Sequence, residues 1–240
     1  PRGMLSKLEA ARAGRAMEGE RRVVTMLFCD VKGSTAMAER MDPEEWAEIM
    51  NGAFEHLIAP IYRYEGTLAR LMGDAIFAFF GAPIAHEDDP HRAVSAGLDI
   101  IDGIQAYRER QRADRGLDLN VRVGINTGPV VVGQVGSDLR LEYTAMGDAV
   151  NVAARMEQTA EPGTLQITAE TYRRIASSFE AEPRGGVEVK GKTEPVVAYR
   201  VVGRKQQPET PSRTHATPLV GREHEMEILT RAIADAHEGR

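Results

Sequence analysis

Between positions 67 and 83 the chain reads T-L-A-R-L-M-G-D-A-I-F-A-F-F-G-A-P. Two apolar runs flank Gly73-Asp74, a pair suited to a tight turn, so the segment predicts an antiparallel β-hairpin. What surrounds the hairpin narrows the fold further. Upstream lies a compact strand pattern, Val23 to Cys29, followed by a helix entered at Asp42-Pro43-Glu44-Glu45. That entry combines an N-cap, a proline at the first helical position and acids in the first turn. Trp46, Ile49, Met50, Ala53, Phe54, Leu57, Ile58 and Ile61 then form one apolar stripe of helical period, which ends near Glu65-Gly66. Downstream, a second helix starts at Asp89-Pro90 and runs to about Arg112, and further strands follow.

The order is β-α-β-β-α-β with C-terminal additions. It predicts an α+β fold: a ferredoxin-like core, a mainly antiparallel sheet, helices on one face, and extra C-terminal strands and a helix. Strands are expected on both sides of a turn at Asn126-Thr127-Gly128-Pro129, near Leu141–Ala145, near Val187–Lys190 and over Val196–Val202. Helices are expected from Asp148 to about Gln158 and from Ala169 to Ala176. Residues 1–20 read as an N-terminal extension or linker helix, and 21–203 as the main domain. Residues 204–218 read as a Pro-rich linker, and 219–240 as the start of a following domain. Pro1-Arg2-Gly3-Met4 reads as a chain entered from upstream sequence.

Composition removes several function classes. Net charge is −6, which opposes a broad electrostatic grip on nucleic acid but leaves room for a nucleotide held by a few local cations. No apolar run approaches the roughly 18 residues of a membrane span. Cys29 is the one cysteine, sits in an apolar strand and reads as a small buried hydrophobe in a reducing, cytoplasmic protein.

Two acids stand out by position. Asp30 ends a strand and Asp74 occupies the hairpin turn; if those strands pair, both carboxylates emerge at one sheet edge. Paired carboxylates suit Mg²⁺ or Mn²⁺, although each acid also fits an ordinary turn. Gly33, Ser34 and Thr35 lead into a short helix whose first N–H groups could meet a phosphate, or which are simple caps. Asn151 and Arg155 lie four apart on one face of a small-residue helix, where an Arg can offset charge on a phosphoryl group.

In context these stretches resemble the class III adenylyl/guanylyl cyclase catalytic domain over roughly residues 21–203. The carriers are F-C-D-V-K-G-S-T, M-G-D-A-I-F-A-F-F, V-R-V-G-I-N-T-G, N-V-A-A-R and V-K-G-K, in that order. The resemblance implies two divalent metal ions at Asp30, Val31 and Asp74. It implies phosphate contacts at Gly33, Ser34, Thr35, Arg122 and Lys190, and catalytic roles for Asn151 and Arg155. It implies conversion of ATP to cyclic AMP and pyrophosphate in a head-to-tail homodimer with shared sites, for intracellular signalling.

Base recognition falls to Arg70, where adenylyl cyclases of the family typically carry Lys, and Thr144, as in the subclass that includes soluble, bicarbonate-responsive cyclases. Arg is not interchangeable with Lys. Arg70 therefore also sustains two alternatives: relaxed ATP/GTP choice, or a weakly active cyclase-like domain serving as a nucleotide-binding regulatory module.

Three motifs are set aside. Gly186 to Thr193 matches G-x-x-x-x-G-K-T, but a strand pattern follows it where a phosphate-binding loop would open a helix. His86-Glu87-Asp88-Asp89-Pro90-His91 lacks zinc-site spacing and reads as an acidic helix start. L-V-G-R-E near the C-terminus resembles the entry of an ATPase module and equally suits a plain tail helix.

Overall fold

The structure, a computed structural model, describes residues 19–137, 140–205, 228 and 231, with backbone alone for 134–137 and 140–143. Residues 1–205 form one compact unit and 206–240 a second. The expected linker helix before residue 19 and nearly all of the expected linker and following domain lie outside the described residues. Glu20 already belongs to the first strand, and Arg204 to the last.

The elements are β1 (Glu20–Val31), α1 (Ser34–Ala38), α2 (Pro43–Arg63), β2 (Thr67–Met72), β3 (Ala75–Phe80), α3 (Asp89–Arg115), β4 (Val121–Ser137), β5 (Arg140–Met146), α4 (Asp148–Thr159), β6 (Leu165–Thr168), α5 (Ala169–Ile175), β7 (Phe179–Val187) and β8 (Val196–Arg204). The sheet order is β2-β3-β1-β4-β6-β8-β7, with β5 paired to β4. Its first four strands are all antiparallel, which is the ferredoxin-like core. Among the described residues, only β4 and β6 run parallel.

Local chemistry explains the first half. Asp42 caps α2 by accepting from the Glu44 and Glu45 amides at 2.9 and 3.4 Å, and Pro43 opens the helix. The buried residues of α2 are Ile49, Met50, Ala53, Leu57, Pro60 and Ile61, five of them from the expected stripe, whose Trp46, Phe54 and Ile58 are half-buried. Gly73, at φ 67°, supplies the left-handed turn residue between β2 and β3.

Three expectations are corrected. Val121 to Ser137 is one continuous strand rather than two around Asn126–Pro129. The strand changes neighbours there: β6 pairs as far as Ile125, and β5 begins at Val131. Pro129 sits in the gap, and β1 pairs along the other edge throughout. Secondly, the strand expected near Val187–Lys190 ends at Val187, and 188–195 is a loop; β7 occupies Phe179–Val187, with register shifts between Glu180 and Ala181 and between Pro183 and Gly185.

Thirdly, the helices do not share one face. Leu27, Cys29, Ile76, Ala78, Val123 and Ile125 pack with Leu57, Ile61, Ala96 and Ile100 of α2 and α3. Met26, Phe77, Phe79, Val130 and Val132 face the other way, with Ala145 of β5 and Ala153 of α4. Period-2 alternation along β1, β3 and β4 thus feeds two cores. Cys29 is fully buried; burial pushes its thiol up, so it is an inert part of the first core.

Candidate active site

The pairing of β1 with β3 sets Asp30 opposite Ala75, the residue after Asp74. Both carboxylates therefore emerge at one end of the sheet. Burial pushes the Asp30 carboxyl up, the Arg122 hydrogen bond opposes that, and the neighbouring Asp74 carboxylate adds to the rise. The Ser34 hydroxyl donates to Asp74 Oδ2. Ser34 is buried at the start of α1, behind the left-handed Gly33, whereas Thr35 is exposed. Val31 is buried and pairs with Val121.

Arg122 lies opposite Asp30 across β1 and β4. Its Nη2 donates to Asp30 Oδ2 at 2.7 Å, and its Nη1 donates to the Gln158 carbonyl at 3.0 Å. The same Nη2 is 2.9 Å from Glu157 Oε1, within ion-pair reach but not in hydrogen-bond geometry. Glu157 lies on the buried side of α4, and its carboxyl is pushed up to about 7 by burial, with Arg122 opposing and Asp30 and Asp74 adding. Sequence reasoning did not single out Glu157. The available signal was an acid four residues after Ala153, inside the helix's own apolar stripe.

The second constellation is a cleft of about 800 Å³ between α4 and the 188–195 loop. Asn151, Arg155, Gln158, Lys190 and Lys192 line it. Arg155 Nε donates to the Glu188 carbonyl at 3.0 Å, and Lys192 pairs with Asp148 at 2.5 Å. Asp30, Ser34, Asp74 and Arg122 are not among its lining residues. The loop is followed by β8, so no helix opens after Thr193 and the phosphate-loop match fails on structure as well.

Arg70 is exposed on edge strand β2, at a register shift opposite Phe77. Thr144 is buried in β5, opposite Gly133.

α4 owes its place to β4. A Cβ on Gly124 would lie 1.9 Å from the Glu157 nitrogen, and one on Gly128 would lie 2.9 Å from the Ala149 Cβ. Between them, on the same strand face, Asn126 Nδ2 donates to the Ala149 carbonyl at 2.9 Å. A buried chain backs this amide. Thr168 Oγ1 donates to Asn126 Oδ1 at 2.8 Å. The hydroxyls of Thr171, Thr127 and Thr25 follow at 3.3, 3.1 and 2.9 Å.

A second cavity, about 580 Å³, is bounded by Thr25, Thr127, His86, Asp89, His91 and Arg174 among others. There the His86 amide donates to Asp89 Oδ2 at 2.9 Å, as in an ordinary helix entry.

The acidic edge fits a hard divalent cation. Two carboxylates are close enough for one to raise the other, and they offer only oxygen. Among the described residues no group of three or more His, Cys, Asp or Glu forms a cage. A two-carboxylate edge suits Mg²⁺, which keeps waters and shares phosphate oxygens. Among the described residues no helix is long and apolar enough to cross a membrane.

Comparison with known proteins agrees with this geometry. The adenylate and guanylate cyclase catalytic domain family matches residues 17–203. The chain is 32% identical over 185 residues to adenylate cyclase 1 of Rhizobium meliloti, covering 76% of itself but only 28% of that protein. Among solved structures it resembles the adenylyl cyclase CyaB of P. aeruginosa with a TM-score of 0.76 and 33% identity, over 79% of this chain and 98% of that one. It resembles the guanylyl cyclase Cya2 equally, at 0.76 and 32%, over 80% and 98%. With its paired aspartates at the sheet edge and the Asn151–Arg155 helix seated on β4, the chain belongs to the adenylate and guanylate cyclase catalytic domain family.

Proposed function

We propose that this domain closes ATP into 3′,5′-cyclic AMP, releasing pyrophosphate, at sites shared between two head-to-tail copies. The observation that carries the reading is the division of the chemistry. Asp30 and Asp74 lie outside the cleft that Asn151 and Arg155 line and are joined to it through Arg122 and the Gln158 carbonyl, so a substrate needing both is best served by two chains. Symmetry then gives two equivalent sites.

Asp30 and Asp74 would hold two divalent cations, with Val31 beside them at the strand end. When bound, these lower the pKa of the ribose 3′-hydroxyl and neutralise phosphate charge. Asn151 orients the ribose by hydrogen bonding. Arg155 and Lys190 supply N–H donors to the phosphates, and the planar Arg155 fork offsets charge as the α-phosphorus–pyrophosphate bond breaks. Arg122 holds Asp30 in place until substrate brings its own phosphates to the guanidinium. Gly33, Ser34 and Thr35 frame the edge, with Ser34 steadying Asp74.

Donor counting at guanine N1 supports a preference for ATP, although guanine O6 can also accept from a guanidinium. A guanidinium has donors and no acceptor, so Arg70 can serve adenine N1 but cannot accept from the N1–H of guanine. The Thr144 hydroxyl can accept from the adenine amino group. A second reading, relaxed ATP/GTP choice with weak turnover, rests on the same Arg70, whose bulk differs from that of a lysine.

The test is purified protein with ATP or GTP and Mg²⁺ or Mn²⁺, with products separated by chromatography. No cyclic nucleotide in any combination refutes the proposal; ADP and phosphate would mark an NTPase instead. Asp74→Ala and Asn151→Ala should each fall to a residual rate about 100-fold or more below wild type, yet stay folded. Mixed, they should recover about one quarter of wild-type activity, since half the dimers are hybrid and each hybrid has one intact site. No recovery on mixing would refute the shared site.

A further inference from the structure

We infer that Asn126 is a positioning residue that sets the catalytic face of α4 through the helix's first turn; this rests on the cyclase reading of Asn151 and Arg155. Asn126 is 6% exposed and sits midway between the two glycines on which α4 rests. Its amide cannot be reversed. The Ala149 carbonyl only accepts, so the NH₂ must face it, and Thr168 must then donate to Oδ1. Ala149 is two residues before Asn151, in the same turn.

The opposite end of α4 is fastened differently. Gln166 Nε2 donates to Thr159 Oγ1 at 2.6 Å and to the Met156 carbonyl at 3.3 Å, and Arg122 holds the Gln158 carbonyl. Among the described residues, Asn126 makes the one side-chain hydrogen bond from the sheet to the first turn. Gly124 and Gly128 permit close approach but cannot choose where along the strand the helix rests. The directional bond from Asn126 chooses it. Asn126 touches no substrate in this scheme; its effect passes through Asn151.

The experiment uses the full chain and four variants: Asn126→Leu, which keeps side-chain volume without hydrogen bonding, Thr168→Val, Thr168→Ser and Asn151→Ala. Rates are measured with ATP and Mn²⁺ well below each Tm. Asn126→Leu should lower kcat about tenfold or more while KM stays within about threefold, as misplacement of a reacting geometry does. Thr168→Val should give a smaller drop in the same direction, and Thr168→Ser should restore the rate. Added to Asn151→Ala, Asn126→Leu should cost nothing further.

A folded Asn126→Leu with unchanged kcat overturns the inference, and so does a full additional loss in the Asn151→Ala background. Should Asn126→Leu fail to fold, the Thr168 pair carries the test: equal rates for Val and Ser overturn it. Should wild-type protein make no cyclic product, the cyclase reading fails separately. The positioning claim is then read from amide hydrogen exchange over residues 150–153. Faster exchange in Asn126→Leu or Thr168→Val supports it, and exchange identical to wild type overturns it.

Discussion

Gly124→Ala tests the seating of α4 directly. The added Cβ would meet the Glu157 nitrogen at 1.9 Å, the Glu157 Cα at 2.5 Å and the Met156 carbonyl carbon at 2.6 Å. All three are backbone atoms, so no side-chain rotation relieves the clash. Reaching the 3.4 Å of ordinary contact requires about 1.5 Å of separation along the closest line. The last turns of α4 must lift from β4, or β4 must bow away while paired on both sides. Overpacking of this kind costs about 1–3 kcal/mol, and more where backbone must move. A shift of about 1 Å at a catalytic group costs on the order of 100-fold in rate. The assay is urea unfolding together with kcat for cyclic nucleotide formation. Gly103→Ala is the comparison: Gly103 lies in α3 with nothing within 4 Å of its added Cβ, and the change should stabilise by about 0.5–1 kcal/mol without touching turnover. A Gly124→Ala protein with wild-type urea midpoint and kcat within twofold would refute the reasoning, because helix and strand would then have slack the distances deny.

Other outcomes follow from single contacts. The Glu157 carboxyl is raised to about 7 in the folded chain, so the folded state holds a proton that the unfolded chain loses near its ordinary value of 4.5. Stability from this group is therefore present below about 4.5 and lost as pH rises through about 7. Glu157→Gln, measured by Tm without added metal, should gain on wild type between pH 5 and pH 8; a constant difference would contradict the burial argument. Asp42→Ala removes the α2 cap and should cost about 1 kcal/mol in urea unfolding, with KM unchanged. Arg70→Glu should shift the GTP-to-ATP ratio of kcat/KM upward, since a carboxylate accepts from guanine N1–H; an unchanged ratio would remove Arg70 from base recognition.

How far the fold could be read from residues alone depended on whether the governing interaction was local. Asp42-Pro43, the stripe on α2 and the Gly73-Asp74 turn are each specified within a few neighbours, and each was legible. The unbroken β4 was not. Pro129 looks like a turn residue until one knows that β6 has stopped pairing and β5 has not begun. The side of the sheet taken by α4 depends on Gly124 and Gly128, whose missing side chains carry no periodic signal. The site divides in the same way. Asp30 and Asp74 were readable as strand-end acids, and Asn151 and Arg155 as a helical pair. Glu157 owes its raised carboxyl first to burial under the sheet-facing side of α4 and then, against Arg122, to Asp30 and Asp74, groups remote in sequence that the β1–β4 and β1–β3 registers bring beside it.

The row of threonines behind Asn126 has a sense of direction. Each hydroxyl has one proton to give. Because Thr168 must give its proton to Asn126 Oδ1, Thr171 gives to Thr168, Thr127 to Thr171 and Thr25 to Thr127. One amide, fixed by one helical carbonyl, thereby orients four dipoles from the second-core face of the sheet through to the other. The chain ends at Thr25, on the wall of the second cavity. With its proton committed inward, the Thr25 oxygen meets that cavity as a lone-pair acceptor, and any arrival there that demanded a donor would have to break the Thr25–Thr127 bond, because the row behind it ends on an amide that cannot turn.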